Sequence, residues 1–184
     1  MTASFLIFII IAVLVGAVAV LYNGFVGKAQ MVKNAWSDID VQLKRRGDLI
    51  PQIVETVKAY ASHEKSLFEE IVSKRNEAFA AGDNPAARGN AETALSAPML
   101  EVMALAEDYP DLKSNENFLD LQDELSDTEN KIEMARRFYN GAVRELNVSV
   151  QSFPGNILAG IFGFSAANFF EINFAERRPP KVEL

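Results

Sequence analysis

The chain contains no cysteine and a single histidine, His63, among its 184 residues. Without cysteine there is no disulfide framework, no thiolate zinc site and no cysteine nucleophile. With one histidine, the paired Glu-x-x-His motifs of di-metal helical bundles cannot be assembled. Basic charge is also scarce, with 18 Lys and Arg against 25 Asp and Glu and a formal net charge of −7. A nucleic-acid binder needs a basic face, so no nucleic-acid partner is expected. P-loop, nucleophile-elbow and dinucleotide fingerprints are missing too, so neither enzymatic activity nor a cofactor is expected. Hydrophobic residues make up 49% of the chain, too many for a disordered polypeptide. The length suits one domain with an appendage.

Charge itself is absent from two stretches, 1–27 and 146–170. Within the first, Phe5 to Tyr22 is a continuous apolar run of 18 residues. About 20 residues of helix cross a ~30 Å hydrocarbon core, so this run reads as a transmembrane anchor. Phe5, Phe8, Ile11, Leu14, Val18 and Leu21 would face lipid, and Tyr22 would sit at the interface. Ala17-Val18-Ala19 has the form of a cleavage site, but a signal peptide wants a positive n-region and a shorter core. Ala12 and Gly16 have the small-xxx-small spacing of pairing membrane helices, which also arises by chance. Beyond the run, residues 28–46 carry a net charge of +3, and the positive-inside rule then places the rest of the chain in the cytoplasm.

The remainder reads as long helix. Val32, Trp36, Ile39, Leu43 and Ile50 form a heptad seam, and the anchor helix is expected to continue through 28–46 and end at Gly47. A second seam, Ile50, Ile53, Val57, Tyr60, Glu64, Leu67 and Ile71, suggests one helix over 49–81, with Pro51 in its first turn. Gly82-Asp83-Asn84-Pro85 is a breaker. A third helix is expected over 85–109, with Pro98 as a kink or a later start. The clearest seam runs over 115–152, through Phe118, Leu121, Leu125, Thr128, Ile132, Ala135, Tyr139, Ala142 and Leu146. The expected fold is all-α, an N-terminal transmembrane helix continuing into an elongated antiparallel bundle of three to four long helices. Trp36, Leu43, Ile132 and Tyr139 would hold it together. Three domains follow: an anchor over 1–27, a bundle over 28–152, and an apolar segment with a polar tail over 153–184.

The second uncharged stretch leads into residues 153–174, which hold six of the 13 phenylalanines. Its dense part, Ile157 to Phe170, is too short and too interrupted by glycine to span a bilayer. It could cap the bundle core, form a self-association surface, or insert at a membrane interface. Phe162, Phe164, Phe169 and Phe170 are the expected contact patch. The tail from Glu176 to Leu184 is polar and expected to be mobile. Among charged groups, nine acids between Glu107 and Glu129 face only Lys113; a solvated acidic face is the expectation there, and no metal site. Lys44-Arg45-Arg46 would lie about 27 Å beyond the span on a continuous helix, well past a Debye length of ~8 Å. These cations are therefore expected to pair with acids on neighbouring helices, such as Asp48 or the 107–129 face. Arg46-Gly47-Asp48 is a chance tripeptide rather than an adhesion motif.

Several strings occur in a fixed order: Tyr22-Asn23, Ala35-Trp36-Ser37-Asp38-Ile39, Asp48-Leu49-Ile50-Pro51, Tyr109-Pro110-Asp111-Leu112, Asn117-Phe118, Leu121-Gln122-Asp123-Glu124-Leu125, Thr128-Glu129-Asn130, Arg137-Phe138-Tyr139-Asn140 and Phe153-Pro154. In them the chain resembles the LemA family of bacterial membrane proteins from Tyr22 to about Glu171. The resemblance implies a single-pass protein of the bacterial cytoplasmic (inner) membrane with a helical bundle and no settled activity. One branch of that family takes part in forming magnetosome membranes. The expected function is a membrane-anchored, homo-oligomeric scaffold that organises or remodels membrane, with the lipid bilayer as partner. The alternative is a monomeric adaptor for another membrane protein.

Overall fold

The computed structural model describes residues 2–172, with side chains from Ser4 onward. Phe174 and the tail from Glu176 lie outside the described residues. Six α-helices occur: α1 (Thr2–Lys58), α2 (Lys65–Ala80), α3 (Pro85–Leu105), α4 (Pro110–Lys113), α5 (Glu116–Gln151) and α6 (Gly155–Phe162). A 3-10 turn at Ala106–Asp108 joins α3 to α4. Among the described residues there is no strand, so the fold is all-α as the periodicity requires. The chain divides into two compact units. Among the described residues, the first draws on 2–37 and 137–168, the second on 38–136 and 169–172.

Two helix boundaries differ from expectation. Gly47 does not end a helix; it lies buried inside α1, with the Phe79 ring against it. A Cβ there would come 2.6 Å from Phe79 Cε2 and Cζ, so the glycine serves close packing rather than termination. Pro51 lies inside α1 as well. A proline in a helix removes the hydrogen bond to the carbonyl four residues earlier, and here that carbonyl belongs to Gly47. Arg75 Nε donates to this same oxygen, which gives the acceptor a new partner and lets the helix continue.

The helix expected over 49–81 is broken at residues 59–64. Val57 O accepts from both Tyr60 N and Ala61 N, at 3.0 and 2.9 Å, and Ala61 O then accepts from Glu64 N. No glycine or proline marks this turn, and the seam keeps its phase through it, so periodicity alone could not reveal it. The next break follows its sequence signal closely. Asn84 Oδ1 accepts from Ala86 N at 3.0 Å and Ala87 N at 3.2 Å, with Pro85 at the first helical position.

The second unit has a contiguous apolar core. Ile50, Ile53 and Val57 from α1 join Phe68 and Ile71 from α2 in it. Leu95, Met99 and Val102 come from α3, and Phe118 and Leu125 from α5. After α6 the chain runs without regular structure, and Phe170 and Ile172 are buried. There the Glu171 main chain lies so close to Gly89 that a Cβ on Gly89 would meet its carbonyl oxygen at 2.2 Å.

Candidate membrane-contact site

In the first unit, α1 contributes an apolar segment that no other element covers. It is long and apolar enough to cross a bilayer, with a mean hydropathy of 3.1 over its most apolar 18 residues and none of that window buried. Phe5, Phe8, Ile11 and Leu14 are exposed, and Val18 and Leu21 are half-buried. At the end of this segment Tyr22 meets the other uncharged stretch of the sequence. Its ring lies edge-on to Phe162, with centroids 4.9 Å apart, and to Phe164 at 5.8 Å. Phe25, one turn on, stacks with Phe164 at 5.1 Å. Such offset and edge-to-face pairs each contribute about 1 kcal/mol beyond simple burial.

The segment after α6 is held by side chains of α5 acting on its main chain. Asn147 Nδ2 donates to Ala167 O at 2.9 Å, and Ala167 N donates to Asn147 Oδ1 at 2.8 Å. Tyr139 donates its hydroxyl to Asn168 O at 2.8 Å, and burial raises its pKa above the ordinary phenol value. These bonds satisfy backbone groups that have no helix or strand to pair with.

α6 is apolar on two faces. Gly155 and Ala159, four residues apart, are buried. Ile157 and Ile161 follow the same four-residue spacing on the other side, at 55% and 68% exposure, and Phe153, in the corner before α6, is 81% exposed. Large aliphatic side chains thus point away from the protein, on the element that touches the end of the apolar anchor segment.

The expected contact patch is therefore split. Phe162 and Phe164 pack on Tyr22 in the first unit, whereas Phe169 and Phe170 belong to the second. Phe170 has 0% exposure and cannot offer a contact surface, because the chain that carries it folds into the protein. Phe169 stays exposed. The packing residues fare differently: Trp36 and Tyr139 come together, with ring centroids 5.5 Å apart, and Leu43 and Ile132 are buried in the second unit.

The second unit contains a buried ionic cluster that the sequence reading missed. Arg46 is 1% exposed and pairs through Nε with Glu129 at 3.0 Å and through Nη1 with Glu92 at 3.4 Å. Its Nη2 also donates to Ser96 Oγ at 3.3 Å. Arg88 Nε donates to the other Glu92 oxygen at 2.8 Å, and Asp40 lies 3.9 Å from Arg88. Burial raises the pKa of Glu129 above the ordinary glutamate value, helped by the nearby Glu92 and opposed by Arg46. A signal was present: Arg46 falls on the α1 seam between Leu43 and Ile50, and Arg88 and Glu92 extend the Leu95–Met99–Val102 seam backwards at the same 4-3-4 spacing. Burial of Arg46 and Gly47 also removes any adhesion reading of 46–48.

The acids of 107–129 are not merely solvated. Glu124 accepts from Arg45 at 3.0 Å, and Glu129 reaches Arg46, as expected of these cations. Asp127 is bonded by Lys131, which holds its carboxyl below the ordinary value. Among the described residues no group of three or more His, Cys, Asp or Glu could hold a metal ion.

An all-α chain with one lipid-length apolar helix defines the class, a membrane-associated helical protein. Residues 35–184 match the LemA family, and the chain belongs to it. It is 26% identical over 179 residues to magnetosome proteins MamQ 1 and MamQ 2 of Paramagnetospirillum magneticum, covering 82% of this chain and 64% of each relative. It is 25% identical over 174 residues to magnetosome protein MamQ of Magnetospirillum gryphiswaldense, covering 81% and 64%. The chain thus spans 64% of the length of these curated relatives.

Proposed function

We propose that this protein is a membrane-anchored scaffold that self-associates and organises or remodels membrane. It would span the inner membrane once through residues 5–22 and hold α6 as a shallow wedge in the bilayer interface beside the span. The observation that carries the reading is the exposed Ile157–Ile161 face of α6, with exposed Phe153 in the corner before it, on the helix whose Phe162 packs on Tyr22. An uncharged apolar face in that position is stabilised by lipid and opposed by water. The soluble part lies on the cytoplasmic side, because residues 28–46, which follow the span, carry a net charge of +3. Relatives bearing the name magnetosome protein support a membrane-associated task. One shallow wedge displaces little lipid, so self-association is what would give it leverage on a bilayer.

The cysteine-free chain permits a clean test. A spin label on Ile161→Cys in liposomes should be accessible to oxygen and shielded from a water-soluble relaxation agent. The full chain should run as an oligomer in detergent and alter liposome shape. A water-exposed label overturns the wedge. A monomer that leaves liposomes unchanged overturns the scaffold, and heterologous rather than self crosslinks in cells would make the protein an adaptor.

A further inference from the structure

Beside the end of the apolar segment is an open cleft of about 210 Å³, the volume of roughly seven waters. Its walls change character along α1. Val20, Leu21 and Phe25, together with Phe153 from the α5–α6 corner, form an apolar end. Lys28, Ser149 and Ser152 form a polar end. Val20, Gly24 and Lys28 are spaced by four residues, so the cleft follows one face of the helix for about 12 Å. Lys28 stands about 9 Å beyond Tyr22 along the helix axis, close to the depth of a headgroup layer above the hydrocarbon boundary.

Lys28 is half-buried, and its ammonium donates to the Ser149 hydroxyl. Among the described residues no carboxylate forms an ion pair with it. The Ser149 hydroxyl donates in turn to Glu145 O at 2.9 Å, so the groups left to meet a ligand are the Lys28 ammonium, the Ser152 hydroxyl and the adjoining apolar wall, which together complement an amphiphile with an anionic phosphodiester head. We infer that this cleft is a binding site for an anionic phospholipid, with the phosphate at Lys28 and Ser152, Ser149 positioning the lysine, and the first methylenes of the acyl chains against Phe25 and Phe153. The inference rests on the proposed membrane placement of the first unit and names a lipid class for it.

The test uses the full chain in detergent with added phosphatidylglycerol or phosphatidylcholine, and reads retained lipid by native mass spectrometry. One lysine near a phosphate is worth about 1 kcal/mol, so phosphatidylglycerol should be retained roughly fivefold over phosphatidylcholine. Lys28→Gln should abolish the preference and Lys28→Arg should keep it, which separates charge from fold. Phe153→Ser should weaken retention of both lipids. Excess inorganic phosphate should not displace phosphatidylglycerol; complete displacement would make this a free-phosphate site and overturn the lipid assignment. Equal retention of the two lipids, or a preference unchanged in Lys28→Gln, also overturns it. If retention is equal while the Ile161 label reports insertion, the headgroup site fails and the wedge stands. If phosphatidylglycerol is preferred while the label is in water, the wedge fails and the site stands.

Discussion

Phe153 in the first unit is 81% exposed, whereas Arg46 in the second is 1% exposed, and the two inversions of ordinary burial have different causes. In the first unit apolar side chains face outward along the anchor segment and again along α6. On the proposed placement, lipid is the solvent that makes such a surface favourable. The polar groups of this unit are used to fasten backbone: Asn147 and Tyr139 hold Ala167 and Asn168. In the second unit water is the solvent, and hydrophobic burial supplies the core. Its interior charges are fastened to one another, with each Glu92 oxygen taking one arginine. A buried ion pair adds little net stability, yet losing one member is severe. The second unit is thus the more brittle towards single polar substitutions, and the first towards loss of apolar contacts.

The largest expected effect tests that brittleness. Glu92→Leu leaves Arg46 and Arg88 buried without their shared acceptor and should cost about 3–5 kcal/mol, read by denaturant unfolding of the full chain in detergent. Replacing both arginines by methionine in the same background, with Glu129→Gln because Glu129 would lose its partner Arg46, should recover most of the loss, because no buried charge is then stranded. A small loss in the single variant would break the contrast between the units. Next, Asn147→Ala removes both bonds to the Ala167 main chain and should cost about 2 kcal/mol. The loss should appear as faster hydrogen exchange around residue 167 while the second unit keeps its protection.

A smaller effect concerns pH. Burial raises the folded pKa of Glu129 above its ordinary value of 4.5. The stability this contributes is fully present below 4.5 and is lost as pH rises through the raised folded value. Glu129→Gln lacks that titration, so the stability of the parent relative to this variant should fall as pH rises above 4.5. A parallel pair of stability curves would show that Glu129 is not desolvated. The smallest effect is expected for Arg45→Ala. Its pair with Glu124 is about 43% exposed on both sides, and such pairs contribute roughly 0.2–1 kcal/mol, less in salt. It sharpens the comparison with its neighbour Arg46, which carries the same charge on the buried side of the same helix.

The sequence by itself determined the all-α class, the anchor segment and the buried face of α5, because apolar spacing and run length act locally. Its heptad positions from Phe118 to Leu146 are buried or half-buried without exception. The seams also ran through Arg46, Arg88 and Glu92, but a charged residue on a seam reads as an interruption until its partners are known. Arg88 and Glu92 pair within α3, but the partners of Arg46 lie on other helices, with Glu92 46 residues away. Only the tertiary structure could decide that Gly47 and Pro51 would not stop α1, since their compensation comes from Phe79 and Arg75 in α2. It also decided that Phe162 and Phe164 return to Tyr22, while Phe170 enters the second unit. Aromatic rings have no fixed sequence partner, and where they bury is set by which surfaces the folded chain brings within reach.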